Sequence, residues 1–144
     1  MVAYSFQPRF VEAVASGAQT QTIRKHRRPP ARRARVGESI ALWTGMRTRE
    51  ARLIGHAPCA GLYPISIRFG LGSVAHVRIG AKQLMGEQLD DFARQDGFAS
   101  AYEMSNWFLQ THGNLNFDGV LVMWSGLVPA EVGGTPPGEL AGAA

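Results

Sequence analysis

Apolar and polar residues alternate at two different periods along this chain, and the change between them orders the elements. Tyr4-Ser5-Phe6 alternates with a period of two and predicts a short strand. Pro8 suits the first turn of a helix, where its missing N–H leaves nothing unpaired. Phe10, Val11 and Val14 follow at helical spacing, and Gly17 supplies the left-handed stop. Thr20 to Arg24 is rich in β-branched residues and predicts a second strand, and Ser39 to Thr44 a third with Ile40 and Leu42 on one face. Arg49 to His56 and Leu62 to Phe69 read as two further strands, with Pro64 making the second an edge or bulged strand. Ser73 to Ile79 alternates through Val74, His76 and Arg78 and predicts another.

The period then lengthens. Leu89, Phe92 and Ala93 fall at helical spacing within Glu87 to Gln95, and Gly97 stops that helix. Ser100 with Glu103 forms a capping box for a helix that carries Tyr102, Trp107 and Phe108 and ends near Gly113. Phe117 to Val128 is apolar and β-rich and predicts a closing strand. No internal repeat is found. Five or six short strands with about three helices, the two not alternating, predict an α+β fold with a curved or barrel-like sheet rather than a Rossmann layer.

The 144 residues match one domain of ordinary size, and 45% hydrophobic content supplies a core. The domain is expected over residues 1–128. Residues 129–144, mostly Gly, Pro and Ala with no core residues, read as a disordered tail. No window approaches the roughly 18 apolar residues of a membrane span. Met1 to Phe10 lacks an apolar run ending in a cleavage site, so no signal peptide is expected. The single Cys59 forbids an internal disulfide and fits a reducing cytoplasm; a small buried hydrophobe is its ordinary role. A cytoplasmic protein without membrane association is the expectation.

Charge changes the picture more than composition does. The net charge is +4, yet seven cations crowd into one segment: Arg24, Lys25, Arg27, Arg28, Arg32, Arg33 and Arg35. Removing those seven from the 15 Lys and Arg leaves eight against 11 acids, so the rest of the chain stands at −3. Such a cluster is the electrostatic footprint of a phosphate-binding surface, and a solvated or targeting loop is the bland alternative. Pro29-Pro30 within it forbids regular structure, so an exposed, mobile loop is expected from Lys25 to Arg35.

Metal and cofactor chemistry find no motif. His26, His56, His76 and His112 have no paired spacing. There is no GxGxxG, P-loop or nucleophile elbow. The polar stretch after the first helix stands out instead. Thr20, Thr22 and Arg24 share one strand face, Gln21 and Ile23 the other, and Gln19 lies at the turn. A hydroxyl, a guanidinium fork and an amide suit a phosphate or a base edge; a polar, solvated strand face is the alternative.

These residues also carry a resemblance. Phe6, Arg9, Phe10, Ser16-Gly17 and Gln19-Thr20-Gln21-Thr22-Ile23-Arg24 resemble the opening signature of ASCH domains. Gly37 to Leu42, then Asp96-Gly97-Phe98 with Glu103-Met104 and Trp107-Phe108, and finally Phe117 to Trp124 resemble their later elements, in the same order, over about residues 4–126. The resemblance implies a PUA-like β-barrel with helices flanking an RNA-binding cleft. It also implies a hydrolase as the alternative, because some members remove the acetyl group of N4-acetylcytidine and ribonuclease activity occurs among others. In the amidohydrolase type a Thr nucleophile, an activating Lys and a Glu act together. The Thr matches Thr22, the Lys position holds Gln19, and the Glu position falls on Asp96. A Gln amide has no basic nitrogen to take the proton of a weak hydroxyl nucleophile. Lys25, three residues beyond Thr22 on an extended strand, starts from the opposite face.

Three readings follow. The first is an RNA- or nucleotide-binding module, with Gln19, Thr22, Arg24 and Asp96 reading a base or nucleoside and the Arg24–Arg35 cations holding phosphate. The second is a hydrolase using Thr22 and Asp96. The third is a protein-interaction or regulatory domain whose basic loop only solvates. Arg24 is the pivot: it either pairs with Asp96 as a structural ion pair or offers its fork to a ligand.

Overall fold

The computed structural model describes residues 1–27, 32–70, 73–113 and 116–130. Within them the fold is α+β, with one mixed sheet of eight strands and three α-helices. The chain opens with β1 (Val2–Phe6), and a 3-10 turn at Pro8–Phe10 runs into α1 (Val11–Ser16), which stops at Gly17 in the left-handed conformation. β2 (Gln21–Arg24) and β3 (Ser39–Thr44) follow, then β4 (Arg52–Gly70), β5 (Ser73–Ile79) and β6 (Lys82–Leu84). α2 (Glu87–Gln95) and α3 (Ala101–His112) come next, and β7 (Asn116–Trp124) and β8 (Val128–Pro129) end the sheet.

The eight strands differ from the five or six expected through one merger, which lowers the count, and two short additions, which raise it. The stretches read as separate strands at Arg49–His56 and Leu62–Phe69 are one 19-residue strand, β4, which begins at Arg52. A register shift between Cys59 and Gly61 lets it change partners without breaking. Its first part pairs with β3 and β8, its second with β7 and β5. Pro64 sits between the β3 ladder, which ends at Pro58, and the β5 ladder, which begins at Ile65, so its missing N–H breaks neither. The two additions, β6 and β8, are too short to carry a hydrophobic period. β8 also enters the expected tail, because Pro129 pairs with Gly55 and Ala130 N donates to Ile54 O. Residues 131–144 of that tail lie outside the described residues.

Sheet order explains where the site forms. Among the described residues β1 pairs only with β3, in parallel, and β2 pairs only with β7. Each therefore keeps an unpaired edge, and no ladder joins the two. Alternate carbonyls of a strand point to the same edge. Two arginines take those of β1: Arg24 Nη2 donates to Ser5 O at 2.7 Å and Arg27 Nη2 to Ala3 O at 2.7 Å. Val2, Tyr4 and Phe6 turn the other way into a core that continues through Ile40, Leu42, Ile67, Val77, Leu121 and Val122.

α2 and α3 close one end of that core. Half of the expected capping box is present: Ser100 Oγ accepts from Glu103 N at 3.1 Å, while the Glu103 carboxylate accepts from Ala99 N at 3.3 Å; Gly113 ends α3 in the left-handed region. Glu103 also accepts from Arg9 at 2.6 Å, tying α3 to the turn before α1. Phe10, Phe98 and Trp107 meet edge-on or tilted at centroid separations of 5.4–5.7 Å, and Trp107 leads on to Phe108, His112 and Phe117. Among the described residues no helix is long and apolar enough to cross a membrane.

Candidate functional site

Between that aromatic cluster and β2 lies a cavity of about 280 Å³. Gln19, Thr22, Arg24 and Asp96, brought together by sequence reasoning, all line it. The aromatic wall of Phe10, Phe98, Trp107, Phe108 and Phe117 faces them, with Lys25 and His112 also at its surface. The sequence pattern identifies those aromatics as core anchors and helix content; their role as one wall of a cavity depends on the docking of α3 against β5 and, through Phe108 and His112, against Phe117 of β7, which no local signal encodes.

The geometry of each polar group follows from its backbone. Asp96 ends α2, and Gly97 turns the chain away with φ of +91°. Only glycine fits there: a Cβ would fall 2.9 Å from Phe10 Cδ1 and collide with Gln19 Oε1. The Gln19 amide therefore lies directly against the end of α2, beside Asp96. Gln19 is 2% exposed, and its Nε2 donates to Gln21 O at 2.9 Å, but its Oε1 has no partner. Asp96 is 5% exposed and its Oδ1 has no partner either. Buried polar atoms are ordinarily satisfied, so two unpaired acceptors beside one cavity are a strong departure.

Burial pushes the Asp96 carboxyl well above the usual carboxylate range; the Arg24 charge and the nearby Gln21 amide oppose that without reversing it. Gln21 Nε2 makes no hydrogen bond of ordinary geometry, so its influence on Asp96 is that of a nearby dipole. A neutral Asp96 can donate as well as accept. In that protonated form it would leave the Arg24 charge without an ionised partner in the cavity. His112 is pushed below its usual value by burial and by the Lys25 charge.

Arg24 takes neither of the two roles expected of it in full. Among the described residues the ion pairs are Arg9–Glu103, Arg32–Glu38, Arg68–Asp118 and Arg94–Asp91, so Arg24 and Asp96 are not joined. Arg24 instead stacks its guanidinium 4.9 Å from the Phe6 ring centroid, donates Nε to Thr22 Oγ1 at 3.2 Å, and holds Ser5 O. Two of its three nitrogens are engaged within the fold, which leaves Nη1. Thr22, 6% exposed, has its hydroxyl oxygen occupied by that cation.

The basic segment divides in the same way. Arg27 lies over the Tyr4 ring at 4.7 Å with its fork on Ala3 O. Arg32 pairs with Glu38. Lys25, Arg33 and Arg35 are exposed and carry no ion pair among the described residues. Arg28 lies outside the described residues. Of the described residues in this segment, Ala34 is 6% exposed and packs in the core, so that part is not an exposed loop. Among the described residues no three His, Cys, Asp or Glu side chains gather to hold a metal ion. Cys59 is buried, and burial raises its thiol pKa, which disfavours the nucleophilic thiolate. Comparison of the chain with models of protein families, with curated proteins and with solved structures finds no match.

Proposed function

We propose that this chain is an RNA- or nucleotide-binding module of the ASCH type, a PUA-like barrel whose seam between β1 and β2 is closed by arginine side chains instead of a ladder. The observation that carries the reading is the cavity: an aromatic wall opposite two buried, unpaired acceptors, with cations at its rim. A nucleobase satisfies both halves, since it offers stacking faces and a polar edge at once. Arg24 Nη1 and a protonated Asp96 supply donors, and Gln19 Oε1 an acceptor. Lys25, Arg33 and Arg35 are placed to meet the phosphates. In the cell the expected location is the cytoplasm.

Binding of a fluorescein-labelled random RNA 12-mer is expected to weaken steeply with salt. Changing Lys25, Arg33 and Arg35 together to Ser should flatten the log–log slope by about 2, at about 0.7 for each phosphate no longer neutralised on a single strand. Changing Arg32 instead should move it less, since it is already paired with Glu38. An unchanged slope in the triple variant would leave the loop a solvating surface.

One observation favours a second reading, a hydrolase: a buried acid of raised pKa shares the cavity with Thr22. Against the family mechanism, Gln19 offers no base and the Thr22 oxygen already accepts from Arg24. Little or no deacetylation of N4-acetylcytidine is therefore expected. Turnover that disappears in Thr22→Ala would establish the hydrolase.

A further inference from the structure

Arg24 and Lys25 line a second cavity as well, of about 230 Å³, on the other side of the Arg24 side chain. Its charged lining is cationic: Arg24, Lys25, Arg27 and Arg33, with no acid among the described residues that line it. Arg27 is fixed there by the Tyr4 ring and the Ala3 carbonyl, so its charge is held in position before any ligand arrives. Arg33 reaches back toward the Arg27 carbonyl at 3.5 Å.

The remaining wall holds Tyr63, which is 45% exposed on β4. Residues 61 and 63 of a strand share a face, and Gly61 leaves that face bare. A Cβ there would fall 2.7 Å from Tyr63 Cε2, so the Tyr63 ring lies down across the strand over Gly61. A half-exposed tyrosine ring lying flat beside fixed cations is a stacking platform next to a phosphate site.

We infer that the second cavity is the subsite for the adjacent nucleotide of a single strand: Tyr63 stacks its base, Arg27 and Arg33 hold the linking phosphate, and Arg24 separates the two bases. This rests on the reading of the first cavity as a base site. Size supports it, since each cavity falls below the roughly 300 Å³ at which small-molecule sites usually begin, while a ligand spanning both does not. The shared wall supports it too, because Arg24 and Lys25, neighbours on one strand end, line both cavities. The ligand class is then an oligonucleotide of at least two residues, not a free nucleoside.

The test compares the four ribonucleoside 3′- and 5′-monophosphates with the sixteen ribodinucleoside monophosphates by calorimetric titration. The best dinucleotide is expected to bind at least about tenfold more tightly than either of its mononucleotides, in line with the contribution of one stacked base. Tyr63→Ala should remove that difference while leaving mononucleotide affinity in place. Tyr63→Phe should keep it, and serves as the readout if the alanine variant melts early. A dinucleotide no tighter than its parts, or a difference that survives in Tyr63→Ala, overturns the subsite and leaves the first cavity's reading standing. If neither mononucleotides nor dinucleotides bind, the base-site reading fails and the subsite falls with it.

Discussion

Replacing Arg24 by alanine is expected to lower the stability of the fold by about 3 kcal/mol and to weaken RNA binding at least about tenfold. The stability loss comes from three interactions made by one side chain. Its Nη2 bond to Ser5 O is short and charge-assisted, a class worth about 1.5–3 kcal/mol. Its longer Nε bond to Thr22 contributes less. Its position over Phe6 and Tyr4, largely removed from water, adds about 1 kcal/mol. Relief of desolvating the guanidinium, which burial holds below its ordinary pKa, offsets part of the sum. The loss also falls where, among the described residues, no ladder joins β1 to β2. With Arg24 gone, Arg27 alone would hold the free edge of β1 to the segment that follows β2. Arg24→Lys should recover little, because an ammonium cannot reproduce the fork to Thr22 and Ser5. Urea unfolding of both variants measures this; a midpoint unmoved by Arg24→Ala would show that the seam holds without the clamp.

Arg24 also marks where the sequence stops being legible. Its residue type suggests a choice between a partner acid and a ligand, because side-chain pairing is what residue types can suggest. Main-chain carbonyls on an unpaired strand edge are invisible in a sequence until the topology is known. The same limit hides Tyr63 among other β-rich residues: its platform depends on Gly61 two positions earlier and on cations from a segment far back in the chain. Local signals fare better. The Ser100–Glu103 cap and the stops at Gly17, Gly97 and Gly113 are present in the fold, while the meeting of Asp96 with Gln19, Thr22 and Arg24 at one cavity is expected only from the resemblance. The merger of two predicted strands into β4 escapes the sequence because Gly61 and Pro64 look like punctuation. In the sheet they occupy a register shift and a gap between ladders, where glycine and proline do no harm.

Asp96→Asn is expected to make the protein more stable than its parent at pH 7, with the advantage vanishing towards pH 4. An unfolded Asp loses its proton near pH 3.9. In the folded state burial keeps Asp96 protonated to a higher pH, against the pull of Arg24. Below about pH 3.9 both states carry the proton and Asp96 contributes no pH dependence. Above it the folded state binds the extra proton, so stability falls as pH rises, by at most about 1.4 kcal/mol per pH unit, until the raised folded value is passed. This is opposite in sign to the usual paired carboxylate, whose stabilisation is lost on acidification. Asparagine has the same shape and no proton to lose, so it removes the slope. Unfolding free energies of parent and variant measured in steps from pH 4 to pH 8 give the difference directly. A parent that gains stability over the variant as pH rises would mean that Asp96 is ionised and held by Arg24, and the neutral buried acid would be wrong. If the variant is the more stable, the fold carries at Asp96 a penalty that packing alone would have removed. A buried acid with an unpaired oxygen beside an aromatic-walled cavity, kept at the expense of stability, is what a ligand-reading group requires.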